Sequence, residues 1–223
     1  MKITSVFTPL LFMVFSFVSK AQNTDALSNQ NTEWLVASLL QNKTEETTIL
    51  GNPTIVPSLY GDAVAFNGID DALFLKEMPL KGLDSFTVEM IFKPESNGVF
   101  EQRILQIGEI TGDRMLLEIR VLDNNWYFDG FVASKGVKLA LATEELLHPL
   151  GKWYHVAFVV TPNSLTTYVN GKQELHKEYV FNPIEQGQTS IGVRMNKVTW
   201  FKGAIYKIQI SPEVLKPNQF LKL

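Results

Sequence analysis

The segment from Gly151 to Lys172 constrains the fold more than any other part of this sequence. Residues Trp153 to Thr161 are almost all β-branched, aromatic or small, a composition that fits a pleated and packed strand. Thr161-Pro-Asn-Ser164 then supplies turn residues. After the return strand, Asn170-Gly171 is the dipeptide favoured where both central residues of a turn need positive φ. The segment therefore predicts a β-hairpin followed by a third strand from Lys172 to Tyr179.

Short apolar runs recur along the rest of the chain, separated by residues typical of turns. This spacing is typical of a sandwich or barrel, and about ten strands are consistent with two packed antiparallel sheets. The sequence thus predicts an all-β fold. The further predicted strands are Ala63–Phe66, Ala72–Leu75, Phe86–Lys93, Arg103–Gly108, Arg114–Leu122, Asn125–Val132, Val137–Leu141, Thr189–Val193 and Trp200–Ile210.

One segment carries two patterns. Leu35, Val36, Leu39 and Leu40 recur at helical spacing after a capping residue, Thr32, which indicates a helix. The start of the same segment, Trp34-Leu-Val-Ala, fits a strand equally well.

The N-terminal residues are typical of a signal peptide. Leu10 to Val18 form an apolar core, and Ser19-Lys20-Ala21 offers a small-x-small cleavage site. The apolar run is shorter than the ~20 residues that a membrane span needs. We therefore predict a signal peptide over residues 1–21, and a single exported domain without a membrane span over residues 22–223.

Charge and cysteine content narrow the range of partners. The chain has 20 Lys and Arg residues against 23 Asp and Glu residues, a formal net charge of −3. No basic cluster is longer than a pair, which argues against nucleic acid as a partner. Because the chain has no cysteine, thiolate metal sites and lipid attachment at a thiol are excluded. The sequence does not indicate an oligomeric state.

Four segments of the chain carry a family resemblance, and they are Gly61–Leu75, Phe86–Pro94, Trp153–Lys172 and Phe201–Ile210. In this order they resemble the strands of the laminin-G-like branch of the concanavalin A-like lectin/glucanase superfamily. That family often carries an acidic residue at the place of Tyr206. The resemblance implies a jelly-roll sandwich of two antiparallel sheets, and it makes Trp34 to Leu40 a strand.

Members of this clan include sugar-binding modules, adhesion domains, glycoside hydrolases and polysaccharide lyases, so that the fold does not determine the function. A retaining hydrolase needs two carboxylates about 5 Å apart. The hydrolases of the clan carry them as Glu-x-Asp-x-x-Glu or a close variant, which is absent here, and Glu89 and Glu118 stand alone among apolar neighbours. In the lyase branch a tyrosine acts with a histidine and an arginine. Tyr206 resembles that tyrosine, but Gly108 stands where the histidine is expected. No catalytic residue is therefore assigned.

Aromatic and charged residues mark a candidate ligand site, because sugar rings present flat apolar faces beside hydroxyl groups. Strand alternation places Trp126 and Phe128 on one face of their strand and Tyr127, Asp129 and Phe131 on the other. Trp200 lies close in sequence to a loop with Arg194, whereas Trp153 is interpreted as a core residue. The candidate ligand-binding residues are Trp126, Tyr127, Asp129, Arg194 and Trp200.

The sequence assigns no metal site. The three histidines, His148, His155 and His176, lack the i, i+4 spacing of a metalloprotease helix. Asp70-Asp71 follows Asn67-Gly68 and fits either a simple turn, in which Asp side chains bind backbone amides, or part of a calcium cage. A simple turn is favoured, and calcium stays the open alternative.

The sequence and the resemblance together predict an exported, non-catalytic carbohydrate-binding protein whose partner is a polysaccharide or other glycan. The first alternative is a polysaccharide lyase or glycoside hydrolase with Tyr206 and an arginine at its site. The second is an adhesion module that binds another protein.

Overall fold

The protein is described by a computed structural model that covers Met1, residues 30–42 and residues 44–223. Apart from Met1, the predicted signal peptide lies outside these residues. Within the same ranges, no helix is long and apolar enough to cross a membrane. The strands and the helix are β1 (Thr32–Leu35), α1 (Val36–Gln41), β2 (Thr47–Leu50), β3 (Thr54–Ser58), β4 (Gly61–Asn67), β5 (Ala72–Leu75), β6 (Phe86–Pro94), β7 (Glu101–Gly108), β8 (Arg114–Leu122), β9 (Asn125–Ser134), β10 (Val137–Leu141), β11 (His148–Pro149), β12 (Tyr154–Thr161), β13 (Ser164–Val169), β14 (Lys172–Glu178), β15 (Gln188–Ile191) and β16 (Lys202–Ser211).

The strands form two antiparallel sheets that pack face to face. The first sheet has the order β14-β13-β12-β6-β16-β4-β3, and β1 also pairs with β16. The second has the order β10-β9-β8-β7-β15-β5-β2, and β11 pairs with β9. A single large hydrophobic cluster joins their inner faces, with Phe92 of the first sheet against Trp126 of the second. The predicted all-β jelly-roll sandwich is therefore confirmed.

The predicted hairpin consists of β12 and β13, which lie next to the edge strand β14 of the first sheet. β12 and β13 pair from Val156↔Val169 to Thr161↔Ser164, and β14 follows directly. Asn170 and Gly171 adopt φ values of 50° and 76°, as their turn requires. The Asn170 side chain also accepts a hydrogen bond from the backbone N–H of His155 at 3.0 Å. The turn is thus tied to the neighbouring strand β12.

The strand predicted from Trp34 to Leu40 is wrong in its second half. β1 ends at Leu35, and the helix α1 begins at Val36. Val36 and Ala37 are buried, and Leu39 and Leu40 pack against the same core. Residues at i, i+3 and i+4 share one face of a helix. The helical spacing of the apolar residues was therefore the better guide here than the family resemblance.

Gly130 of β9 leaves room for the core between the sheets. A Cβ atom at this position would lie 2.8 Å from Phe158 Cε2 and 2.8 Å from Thr167 Cγ2. We expect Gly130→Ala to lower the free energy of unfolding by about 1–3 kcal/mol, the usual effect of overpacking. Urea denaturation measures this loss. The loss should shrink when Thr167→Ser removes Cγ2, one of the three atoms that would lie within 3.0 Å of the added Cβ. Equal losses in both backgrounds would contradict this explanation.

Candidate functional site

The four arginines of the chain converge on one groove at the outer face of the second sheet. The groove encloses about 250 Å³. We call it the arginine groove, and it is lined by Arg103, Arg114, Leu116, Glu118, Arg120, Asp129, Phe131, Lys138, Ala140 and Arg194.

Strand alternation explains why these side chains share a face. In β8, Met115, Leu117 and Ile119 belong to the hydrophobic core, so the residues between them point away from it. The outward set of β8 is Arg114, Leu116, Glu118 and Arg120. The neighbouring strands β7, β9 and β10 add their own outward residues on either side.

Arg194 reaches the groove from the loop that joins β15 to β16. The backbone of β7 holds this loop, because the Arg103 N–H donates to the Thr199 carbonyl at 3.0 Å. A side chain holds it as well, since the Met195 N–H donates to Gln106 Oε1 at 3.0 Å. Arg194 is therefore positioned by a loop that is hydrogen-bonded to the groove's own sheet.

Ion pairs link the charged side chains of the groove both across and along the strands. Glu118 lies opposite Arg103 of β7 and opposite Asp129 of β9. Its Oε1 is 2.8 Å from Arg103 Nε, and its Oε2 is 3.0 Å from Arg120 Nη1. Arg120 also places Nη2 2.7 Å from Asp129 Oδ2, and Glu101 Oε2 lies 2.6 Å from Arg103 Nη1. The cross-strand pairs of Arg103 with Glu118 and of Arg120 with Asp129 stabilise the sheet. Arg103 and Arg120 together occupy both oxygens of Glu118.

Three polar atoms of the groove are buried without a hydrogen-bond partner among the described residues: Arg114 Nε, Asp129 Oδ1 and Arg194 Nε. Arg114 and Asp129 are only 4% and 1% exposed. Buried polar atoms normally have a partner. These three atoms are therefore candidate contacts for a bound ligand.

The environment of the groove changes the pKa of two of its groups. Burial, together with the negative charge of Glu118, raises the pKa of the Asp129 carboxyl to about 6, although Arg120 opposes the change. Burial, together with the positive charge of Arg194, lowers the pKa of the Arg114 guanidinium. Arg114 and Arg194 are thus close enough to repel each other.

Comparison of the sequence with family models gives one match that covers most of the chain. The Laminin_G_3 model, described as concanavalin A-like lectin/glucanases superfamily, matches residues 67–219. The chain belongs to this superfamily. The arginine groove lies wholly within the matched residues. No curated protein matches the sequence.

Three of the solved structures with a similar fold come from different kinds of protein. Domain 4 of AbnA, a GH43 extracellular arabinanase from Geobacillus stearothermophilus in complex with arabinotriose, has a TM-score of 0.62 and 21% identity over 78% of this chain and 85% of that chain. A heptameric SAP-like pentraxin from Limulus polyphemus has a TM-score of 0.57 and 20% identity over 70% and 78%. The binding domain of botulinum neurotoxin DC in complex with SialylT has a TM-score of 0.55 and 14% identity over 78% and 44%. At these identities the similarity shows the fold alone.

The structure places the residues predicted to bind a ligand in different parts of this superfamily member. Asp129 and Arg194 both line the arginine groove. Tyr127 is half-buried on the same face, opposite Arg120. Trp200 is half-buried in the β15–β16 loop, outside the groove lining.

Trp126 does not line the candidate site. Its side chain is 0% exposed and packs in the core against Phe92 and Tyr154, with ring centroids 5.2 Å and 5.0 Å away. The alternation between Trp126 and Tyr127 was predicted correctly, but the larger and less polar set of side chains faces the core. Trp126 is therefore a core residue in this structure.

Sequence reasoning missed most of the charged residues in the groove. Glu118 does not stand alone, because it contacts two arginines. Arg114, Glu118 and Arg120 are separated by even numbers of residues on one strand, and this spacing was the available signal that they share a face. Whether these residues meet Arg103 and Asp129 depends on how β7, β8 and β9 pair with one another.

The other side of the sandwich carries a small aromatic cluster. The ring of Tyr60 lies 5.8 Å from that of Trp153 and 5.8 Å from that of Tyr206, between centroids. All three side chains are half-buried and lie outside the hydrophobic core. The interpretation of Trp153 as a core residue is therefore wrong. Tyr206 belongs to the first sheet, whereas the arginine groove lies on the outer face of the second.

The three histidines each have a partner outside the arginine groove. His155 Nε2 is 2.9 Å from Glu89 Oε1, which also accepts the Leu221 N–H at 2.7 Å. His148 contacts Glu174, and His176 contacts Thr166. The three histidines thus lie in three separate contacts.

The Asp70-Asp71 connection is a hydrogen-bonded turn. Asp71 Oδ1 accepts the Asn52 N–H at 2.7 Å, and its Oδ2 accepts the Asn67 N–H at 2.9 Å. Asn67 Oδ1 in turn accepts the N–H groups of Ile69 and Asp70. Over residues 30–42 and 44–223, no group of three or more acids or histidines is arranged to hold a metal ion.

Proposed function

We propose that this protein is an exported, non-catalytic carbohydrate-binding protein and that the arginine groove holds the glycan. The observation that carries the proposal is the set of three buried polar atoms without partners, Arg114 Nε, Asp129 Oδ1 and Arg194 Nε. Sugar hydroxyls need both donors and acceptors, and Phe131 supplies an aromatic surface in the same groove. The complex of a similar domain with arabinotriose supports this class of ligand.

The groove favours binding over hydrolysis. A glycoside hydrolase needs two carboxylates, one as acid and one as nucleophile or base. Both oxygens of Glu118 are held by guanidinium groups, so that this carboxylate positions arginines. Of the two acids that line the groove, only Asp129 has an oxygen without a partner among the described residues.

The lyase alternative receives no support from the placement of Tyr206. All four arginines of the chain line the groove on the second sheet, while Tyr206 packs beside Tyr60 on the first. A tyrosine and an arginine would need to meet at one sugar residue. Export is supported by the apolar run from Leu10 to Val18 and by the cleavage site that follows it.

Affinity gel electrophoresis on a panel of neutral and acidic polysaccharides tests the function and its site. We expect retention on at least one polysaccharide, and Phe131→Ala should weaken it about 2- to 10-fold, the effect expected of one aromatic contact. Trp153→Ala is the matched control, because it removes an aromatic ring from the other sheet. Folding of each variant is checked by circular dichroism. Absence of retention on every gel by folded protein would refute glycan binding, and sensitivity to Trp153 alone would move the site to the aromatic cluster.

A further inference from the structure

The four arginines of the groove fall into two classes. Arg103 and Arg120 are held by Glu101, Glu118 and Asp129 at distances of 3.8 Å or less. Arg114 and Arg194 take part in none of the ion pairs found within the described residues. The Nε atoms of both are nevertheless buried.

Arg114 is fixed in place although it forms no ion pair within the described residues, and the charges of Glu118 and Asp113 offset its burial only in part. Its Nη1 donates to the carbonyls of Thr111 and Gly112, and its guanidinium carbon lies 5.1 Å from the centre of the Phe131 ring. The side chain is 4% exposed. Arg194 lies close enough for its charge to lower the pKa of Arg114. The fold therefore holds two like charges near each other in a partly desolvated place, and an anion bound between them would relieve their repulsion.

The charge of the groove differs in sign from that of the chain. Its lining has five cationic side chains, the four arginines and Lys138, against the two carboxylates of Glu118 and Asp129. The groove is thus cationic, whereas the whole chain has a formal net charge of −3. A cleft lined mainly by positive charge attracts anions, even when the whole protein is acidic.

We propose that the sugar residue bound in the arginine groove carries an anionic group, a carboxylate or a sulfate, which Arg114 and Arg194 bind. This inference rests on the proposed function and adds the class of ligand. The planar guanidinium group matches the oxygens of such anions with two parallel hydrogen bonds.

The rest of the groove suits the remainder of the same sugar. Asp129 Oδ1 is a buried acceptor without a partner and can accept a sugar hydroxyl. Phe131 offers an apolar ring beside it. The volume of about 250 Å³ lies below the range of about 300–1,000 Å³ for drug-sized pockets, which fits one sugar unit better than a longer stretch of polymer.

Matched pairs of polysaccharides test the charge of the ligand with the full chain. Each pair shares a backbone and differs in charge: polygalacturonate and its methyl ester, alginate and its propylene glycol ester, dextran sulfate and dextran. We expect at least one anionic member to be retained at least tenfold more strongly than its neutral counterpart. The first two pairs report on carboxylates, and the third reports on sulfate.

The variant Arg194→Gln tests whether Arg194 binds the anionic group. Loss of one hydrogen bond to a charged group should weaken retention on the anionic member about 10- to 100-fold. The same variant should unfold at an unchanged or higher temperature, because it removes the charge that repels Arg114. A purely structural arginine would instead lower the unfolding temperature. Lys172→Gln is the matched control, since it removes one positive charge from exposed strand β14 and should leave retention unchanged.

Two results would overturn the inference. Retention on neutral members equal to that on anionic members, with Phe131 still required, would refute the anionic ligand and leave glycan binding intact. The second result is an equal loss of retention on the anionic polysaccharides in Lys172→Gln and Arg194→Gln. It would show that the net charge of the protein, and not the arginine groove, causes the preference for anions.

Discussion

Arg120→Met is expected to lower the free energy of unfolding by about 3–5 kcal/mol, because it leaves buried carboxylates without a shared cation. Arg120 contacts Glu118 Oε2 at 3.0 Å and Asp129 Oδ2 at 2.7 Å. Glu118 and Asp129 are 3% and 1% exposed, so that water cannot replace the lost guanidinium. Urea denaturation near neutral pH, where both acids are ionised in the unfolded chain, measures the loss.

Two further variants test whether the loss of stability comes from the ion pairs of Arg120. Arg194→Met removes an arginine of the same groove that takes part in none of the described ion pairs, and it should leave stability within about 1 kcal/mol of the wild type. In the Arg120→Met background, Asp129→Asn should restore part of the loss, because it removes the carboxylate whose ion pair was with Arg120. Equal stability of Arg120→Met and Arg194→Met would contradict the importance of the network.

The fold was predictable because its signals are local. The turn at Asn170-Gly171 and the alternation from Trp126 to Phe131 are each recognised within one segment, and both agree with the structure. Helix α1 shows the limit of this approach. The segment that contains its six residues has apolar residues at helical spacing and also a start that resembles a strand. Only packing against the core decides between helix and strand.

The candidate site was less predictable because it depends on pairing between strands. Alternation showed that Trp126 and Asp129 lie on opposite faces, but not which face meets the other sheet. Glu118 meets Asp129 through the register of β8 with β9. It meets Arg103 next to a β-bulge that shifts the register between Arg103 and Leu105. A bulge changes which side chains oppose each other, and the apolar residues around it do not indicate its position.

Asp129→Asn should remove a pH dependence of stability that the wild-type protein shows between about pH 4 and pH 6. Burial and the charge of Glu118 raise the pKa of the Asp129 carboxyl from 3.8 to about 6 in the folded protein. Between these values the folded protein keeps a proton that the unfolded chain has released. The free energy of unfolding contributed by this group is therefore greatest below about pH 4, falls as pH rises, and is constant above about pH 6.

The difference in unfolding free energy between Asp129→Asn and the wild type isolates this effect, because the other carboxylates are present in both proteins. As pH rises from about 4 to above 6, the variant should gain on the order of 3 kcal/mol relative to the wild type, the equivalent of a shift of about two pKa units. Lys172→Gln, which leaves every carboxylate in place, should differ from the wild type by the same amount throughout. A difference for Asp129→Asn that does not change with pH would mean that Arg120 compensates fully for the burial of this carboxyl and that its charge is balanced within the groove.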